Sequence, residues 1–311
     1  MHNRRDLIRF AWLSIAAAVL TIAIKAGSYL ISHSVGLLSD ALESGVNLVA
    51  ALAALTALSI SAQPPDEEHA YGHQKVEYLS SGAEGGLIAL AALSIAITAV
   101  QRLIEPQPIS RLGFGLALSS LASLINLGVA QVLIRTGRKW NSIALEADGQ
   151  HLMTDVWTSV GVLVGVSAVA ITGWEPLDSL VALAVAAWIA TNAYRILRRS
   201  ALGLIDTAIP PEDLSAAQAA IAPHLVDGVT YHAMRTRQAG ARCFISLHMQ
   251  VPGSWSIQRG HDLAEAVERD IRKAVPTATV FTHIEPLEDP ASFNDLGLDR
   301  NSDEGNVTSG N

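Results

Sequence analysis

The chain has 311 residues, 50% of them hydrophobic and only 16% charged, with a formal net charge of -8. A mean hydropathy of +0.32 is too high for an ordinary soluble globular protein, and the acidic balance argues against nucleic acid as a partner. The single cysteine, Cys243, excludes an internal disulfide and a cysteine-built zinc cage, so oxygen and imidazole are the metal ligands on offer.

Taken in chain order, apolar runs long enough to cross about 30 Å of hydrocarbon as helix lie near residues 8–31, 35–61, 80–104, 112–135, 143–172 and 177–197. Six transmembrane helices are expected. The first follows Arg4 and Arg5 but is too long for the apolar core of a signal peptide. Arg4, Arg5, Lys75, Arg135, Arg138, Lys139, Arg195, Arg198 and Arg199 fall on one side of the six-span arrangement, and Arg102 and Arg111 on the other. That bias places both termini in the cytoplasm.

After residue 205 the pattern changes. Residues 207–225 read as a proline-marked turn and an amphipathic helix, "TYHAMRTRQ" and "ARCFISLHMQV" as strands, "QRGHDLAEAVERDIRKAV" as a helix and "ATVFTHIEP" as a third strand. The expected organisation is a six-helix transport domain over 1–205, a small cytoplasmic α+β domain over 206–289, and a disordered acidic tail over 290–311.

Ionisable groups inside a span are costly unless paired or set in a cavity. The second span carries Asp40, Glu43 and Asn47; the fifth carries Asp148, His151 and Asp155. Residues four apart share a helix face, so Glu43 with Asn47 and His151 with Asp155 form two pronged faces. Each pair alone serves equally well as a helix-packing device or as half of a metal site. Two such pairs on two spans favour a divalent cation held between helices.

Six spans, the acidic second span, "HLMTD" in the fifth, "PPDEEHAYGHQKVE", "RTRQAG" and the α+β domain together resemble the cation diffusion facilitator family, most closely its bacterial FieF/YiiP type. The resemblance implies a homodimer in the inner membrane that exports divalent transition metals in exchange for protons, with Glu43, Asn47, His151 and Asp155 as the transport site. It implies a loop metal site at Asp66, His69 and His73, which the residues alone read as solvated loop charge. It also implies a regulatory metal site at His232, His248, His261, His283 and Glu285, and a charge pair between Lys75 and Asp206 that ties the dimer. Family members commonly have Asp or His where this chain has Glu43, and Asp where it has Asn47. Asp40 is assigned a supporting role.

The donor set of three oxygens and one nitrogen is harder than two His with two Asp, which favours iron(II), cobalt or manganese relative to zinc. Zinc and iron(II) are therefore expected equally, ahead of cadmium, cobalt and manganese. His151 and Glu43 must lose protons to bind metal, which offers a route to proton coupling. No H-E-x-x-H and no phosphate-binding G-x-x-x-x-G-K-[ST] occurs, so neither an enzyme nor an ATP-driven pump is expected. A passive metal channel or a membrane metal sensor is the alternative.

Overall fold

The computed structural model describes residues 5–32, 35–105, 113–174 and 176–293, without the side chains of 35–43 and of a few other positions. Arg4, Arg111 and residues 294–311 of the expected tail lie outside the described residues. The chain divides into two compact units, Met1–Ile205 and Asp206–Asn311.

The first unit holds six helices: α1 (Arg5–Ser32), α2 (Val35–Ser61), α3 (Val76–Ile104), α4 (Gly113–Lys139), α5 (Ile143–Thr172) and α6 (Pro176–Leu204). Among the described residues, five of these are long and apolar enough to cross a membrane, and α2 contributes the apolar segment Asn47–Ser61. Many large apolar side chains, including Trp12, Leu90, Leu124 and Val164, are exposed, as lipid-facing side chains are in a chain that hides its polar backbone inside helices.

Small residues set the helix contacts, because in lipid close backbone approach replaces the hydrophobic drive. A β-carbon on Gly85 of α3 would lie 3.1 Å from Ile196 and Leu197 of α6, and Ser81 and Ser200 share a 2.7 Å hydrogen bond across the same seam. Gly149 of α5 lies against Ala130 and Ile134 of α4. The stretch "GVLVG" in α5 faces α6, where a β-carbon on Gly161 would meet Val185 at 3.0 Å. Leu7 and Ala11 of α1, Leu58 of α2, Leu133 of α4 and Leu145 and Leu152 of α5 form one buried cluster; Ile88 of α3 and Ile189 of α6 centre another.

At one end of this unit Glu146 receives Arg138 at 3.2 Å and Arg199 at 2.5 Å, while at the opposite ends of α3 and α6 Arg102 reaches Asp178 at 3.5 Å. The third helix starts at Val76, ahead of the expected residue 80, so Glu77 lies inside it. Glu77 is fully buried and accepts hydrogen bonds from Ser61 (2.9 Å) and Ser142 (2.7 Å), tying the end of α2 to the starts of α3 and α5.

The second unit contains α7 (Pro211–Ile221), β1 (Thr230–Ala239), β2 (Arg242–Val251), α8 (Ile257–Ala274) and β3 (Ala278–Pro286). β2 is central, antiparallel to β1 and parallel to β3. Gly240, at a φ of 59°, serves the tight turn between β1 and β2. Parallel strands need a long crossover, and α8 supplies it. Its N-terminus is capped by Ser256, which accepts from the Arg259 amide.

Alternation along β2 sends Ile245, Leu247 and Met249 into a core with Ile221, Val267 and Ile271, while Ser246 and His248 occupy the other face. Cys243 is buried in this core, and that burial pushes its thiol up from the ordinary cysteine range. Pro290–Phe293, expected as the start of a disordered tail, instead form a short 3-10 helix, held by the Ser292 hydroxyl on the Pro286 carbonyl at 2.7 Å. Satisfying that buried hydroxyl keeps the chain ordered past the last strand.

Candidate metal-transport site

Asn47, His151 and Asp155 meet between α2 and α5. Asn47, 3% exposed, donates from Nδ2 to Asp155 Oδ2 at 2.5 Å, and its Oδ1 lies 2.8 Å from His151 Nε2. One amide therefore bridges the two side chains that helical spacing places on one face of α5. A third helix joins them: Asn126 of α4, 2% exposed, donates to the same Asp155 oxygen at 3.2 Å. Its own Oδ1 is buried without a partner, as is His151 Nδ1. The backbone of Asp40 and Glu43 lies in α2, but their side chains lie outside the described residues.

The arrangement collects amide oxygen, carboxylate and imidazole nitrogen within hydrogen-bond reach of one another. These are borderline-to-hard donors suited to a divalent first-row metal. Asp155 is the one carboxylate among the described members of the cluster, and it is the charge around which both amides are oriented.

A second cluster lies in the loop before α3. Asp66 accepts the His69 amide at 2.7 Å and stands 3.1 Å from His69 Nδ1 and 3.2 Å from His73 Nε2. The His69 backbone N–H holds the Asp66 carboxyl below its usual range, against an opposing effect of burial and with help from both imidazoles. His73 is largely buried, and its Nδ1 has no partner.

The third cluster sits on the sheet. Register pairs His232 with His248 and His248 with His283 across the three strands. Glu285, 6% exposed, receives His232 Nε2 at 2.8 Å and His248 Nδ1 at 3.0 Å, with His283 Nε2 at 3.6 Å. The register slips just after His232, where Ala233 takes a left-handed φ of 49°. Such a bulge re-aims a neighbouring side chain. His261 lies on α8, exposed, and is not brought to this cluster within one chain. His232, His248 and Glu285 present ligand atoms close enough to share one ion, as do Asp66, His69 and His73.

Residues 11–205 match the cation efflux transmembrane domain and residues 209–287 match the cytoplasmic domain of cation efflux proteins. The chain belongs to the cation efflux, or cation diffusion facilitator, family. An uncharacterized transporter of Synechocystis is 50% identical over 91% of this chain and 92% of its own length. The cation-efflux pump FieF of Cronobacter sakazakii is 32% identical over 92% of this chain and 95% of its own. A solved structure of the metal-bound C-terminal domain of CzcD from Thermotoga maritima is 24% identical over 25% of this chain and 91% of that one, with a TM-score of 0.23.

This cation efflux protein is thus a multi-pass metal transporter of the FieF type and not an enzyme. Of the residues expected to tie a dimer, Lys75 donates to the Leu204 carbonyl at 3.3 Å, and Asp206 pairs with Arg237 at 3.1 Å. Spacing arguments pass over Asn126 because it has no polar neighbour four residues away; the lone amide in "SLINLGVA" is itself the signal.

Proposed function

We propose that this protein exports divalent transition-metal cations, zinc or iron(II) first, from the cytoplasm in exchange for protons, as a homodimer of the inner membrane with both termini in the cytoplasm. The observation that carries the reading is the Asn47 amide standing between His151 and Asp155 across two transmembrane helices. Glu43, on the turn before Asn47, would complete the site, and Asp40 one turn earlier would support it.

The atoms that hydrogen-bond one another in this cluster are the atoms that would ligate the cation. Metal arriving at His151, Asp155 and Glu43 requires each to be deprotonated, so protons leave as metal binds and return as it departs. Because the ligands come from separate helices, rocking of those helices would open the site to one side and then the other. The two imidazole-containing clusters outside the membrane take separate roles: Asp66, His69 and His73 bind metal in the loop, and His232, His248, His283 and Glu285, with His261, sense it. Metal held by the sheet would bias the membrane unit through the dimer, with Lys75 and Asp206 pairing between subunits.

The test is uptake by liposomes containing the purified protein, comparing zinc, iron(II), manganese, cobalt and cadmium with and without a pH difference. Accumulation against the metal gradient, driven by protons, is expected. Uptake that only dissipates the metal gradient and ignores pH would instead mark a channel. Asn47→Asp in the same assay is expected to shift the order of preference toward zinc.

A further inference from the structure

The efflux reading leaves a second buried acidic cluster of the membrane unit unassigned. Glu84 lies two turns beyond Glu77 on α3, and Asp148 lies about one turn before His151 on α5. Each is 1% exposed, and none of their four carboxylate oxygens has a hydrogen-bond partner. The carboxylates are near enough to act on each other electrostatically. Ser14 of α1 lies beside Asp148, and Ser80 of α3 lies beside Glu84. These hydroxyls are 0% and 8% exposed, and they too close no hydrogen bond of ordinary geometry.

Glu77 is the internal control. It is as deeply buried on the same helix, yet both its oxygens are taken by serine hydroxyls. A carboxylate kept for packing alone is satisfied in that way, because an unsatisfied buried charge is costly. At Glu84 and Asp148 the same two residue types are present, carboxylates and serines, and their oxygens remain unengaged. Three helices therefore bring two carboxylates and two serine hydroxyls into one buried region, six oxygen atoms with two formal negative charges and no nitrogen or sulfur among them. One divalent cation of oxygen-seeking character balances that charge and suits that donor set.

We propose that Glu84, Asp148, Ser14 and Ser80 form a second cation site in the membrane unit. It lies between the end of the bundle that carries the Asp66 loop and the Asp155 cluster. Its capacity to bind metal is independent of the efflux reading; its role as a station on the way to Asp155 rests on that reading. The absence of imidazole distinguishes it from the three clusters described above, so it holds hard ions in preference to zinc.

The experiment uses the full chain in lipid nanodiscs with manganese(II) as the probe, in an Asp155→Asn background that removes the transport-site carboxylate. Bound manganese per protomer is counted by equilibrium dialysis, and its oxygen coordination is followed by electron paramagnetic resonance. Adding Glu84→Gln or Asp148→Asn is expected to lower the count by about one ion per protomer. Ser14→Ala, which keeps both carboxylates, is expected to weaken that ion several-fold without changing thermal unfolding, so the outcome stands even if a carboxylate variant folds poorly. An unchanged count and affinity in all three variants overturns the proposal. That holds also if they alter only the pH dependence of transport, which would mean the pair carries protons alone. Transport by Asp155→Asn vesicles reports on the efflux reading separately.

Discussion

The Asp155 cluster and the Glu285 cluster both centre on a carboxylate beside imidazole, yet the chain builds them by opposite means. Glu285 is met by three histidines in adjacent strand registers of a single sheet, and the register of that sheet is locked by its buried face. The Asp155 cluster draws its members from three different helices, and the two that donate to Asp155 are amides on α2 and α4. A site on one sheet keeps its geometry when the rest of the molecule moves. A site divided among helices loses it when they slide, and small residues at the seams leave the helices free of interlocking bulk. The first arrangement suits retention and sensing of metal; the second suits release.

The contrast breaks most severely at its membrane side. Asp155→Ala leaves both amides without their acceptor and removes the proposed ligand, and metal uptake by vesicles is expected to fall by more than about a hundredfold, beyond the range typical of supporting residues. Uptake near the parent level would place transport elsewhere. Glu285→Gln should act differently: calorimetry is expected to show one metal site weakened by about tenfold or more, while vesicle uptake persists.

A smaller effect sharpens the role of the seams. Gly161→Val places methyls against Val185 and is expected to cost about 1–3 kcal/mol of stability, as overpacking does, read as a lower thermal midpoint in detergent. The smallest effect concerns the loop. Asp66 titrates below the usual carboxylate range in the folded chain, chiefly through the His69 amide. Its stabilising contribution is therefore complete above about pH 4 and is lost as pH falls through the lowered folded value. Exchange of the His69 amide should stay slow until that acid range and should lose this dependence in Asp66→Asn; onset between about pH 5 and 7, where imidazoles titrate, would contradict the assignment.

Much of this was legible in the chain because both periodicities are strong. Apolar length marks the membrane helices, and alternation in "CFISLHMQV" puts His248 opposite the buried Ile245 and Leu247. Pairs four apart on a helix are visible too, which is why Asn47, His151 and Asp155 stand out. What spacing does not reveal is contact between elements. Asn126 reaches Asp155 only because α4 packs on α5 through Gly149. Glu84 sits alone in "SSGAEGGL", and its relation to Asp148 depends on how α3 crosses α5. Histidines on β1, β2 and β3 converge through register, which no single strand displays, whereas His261 on α8 stays apart within one chain.

The most direct test of the central claim is a double-mutant cycle between Asn47→Ala and Asp155→Ala, read as the half-saturating zinc concentration for vesicle uptake or, where uptake vanishes, as zinc affinity of the nanodisc-embedded chain. If the two helices hold one ion together, the paired change will be strongly non-additive, by about 1 kcal/mol or more. Losses that add within about 0.5 kcal/mol would mean that Asn47 and Asp155 do not share a cation.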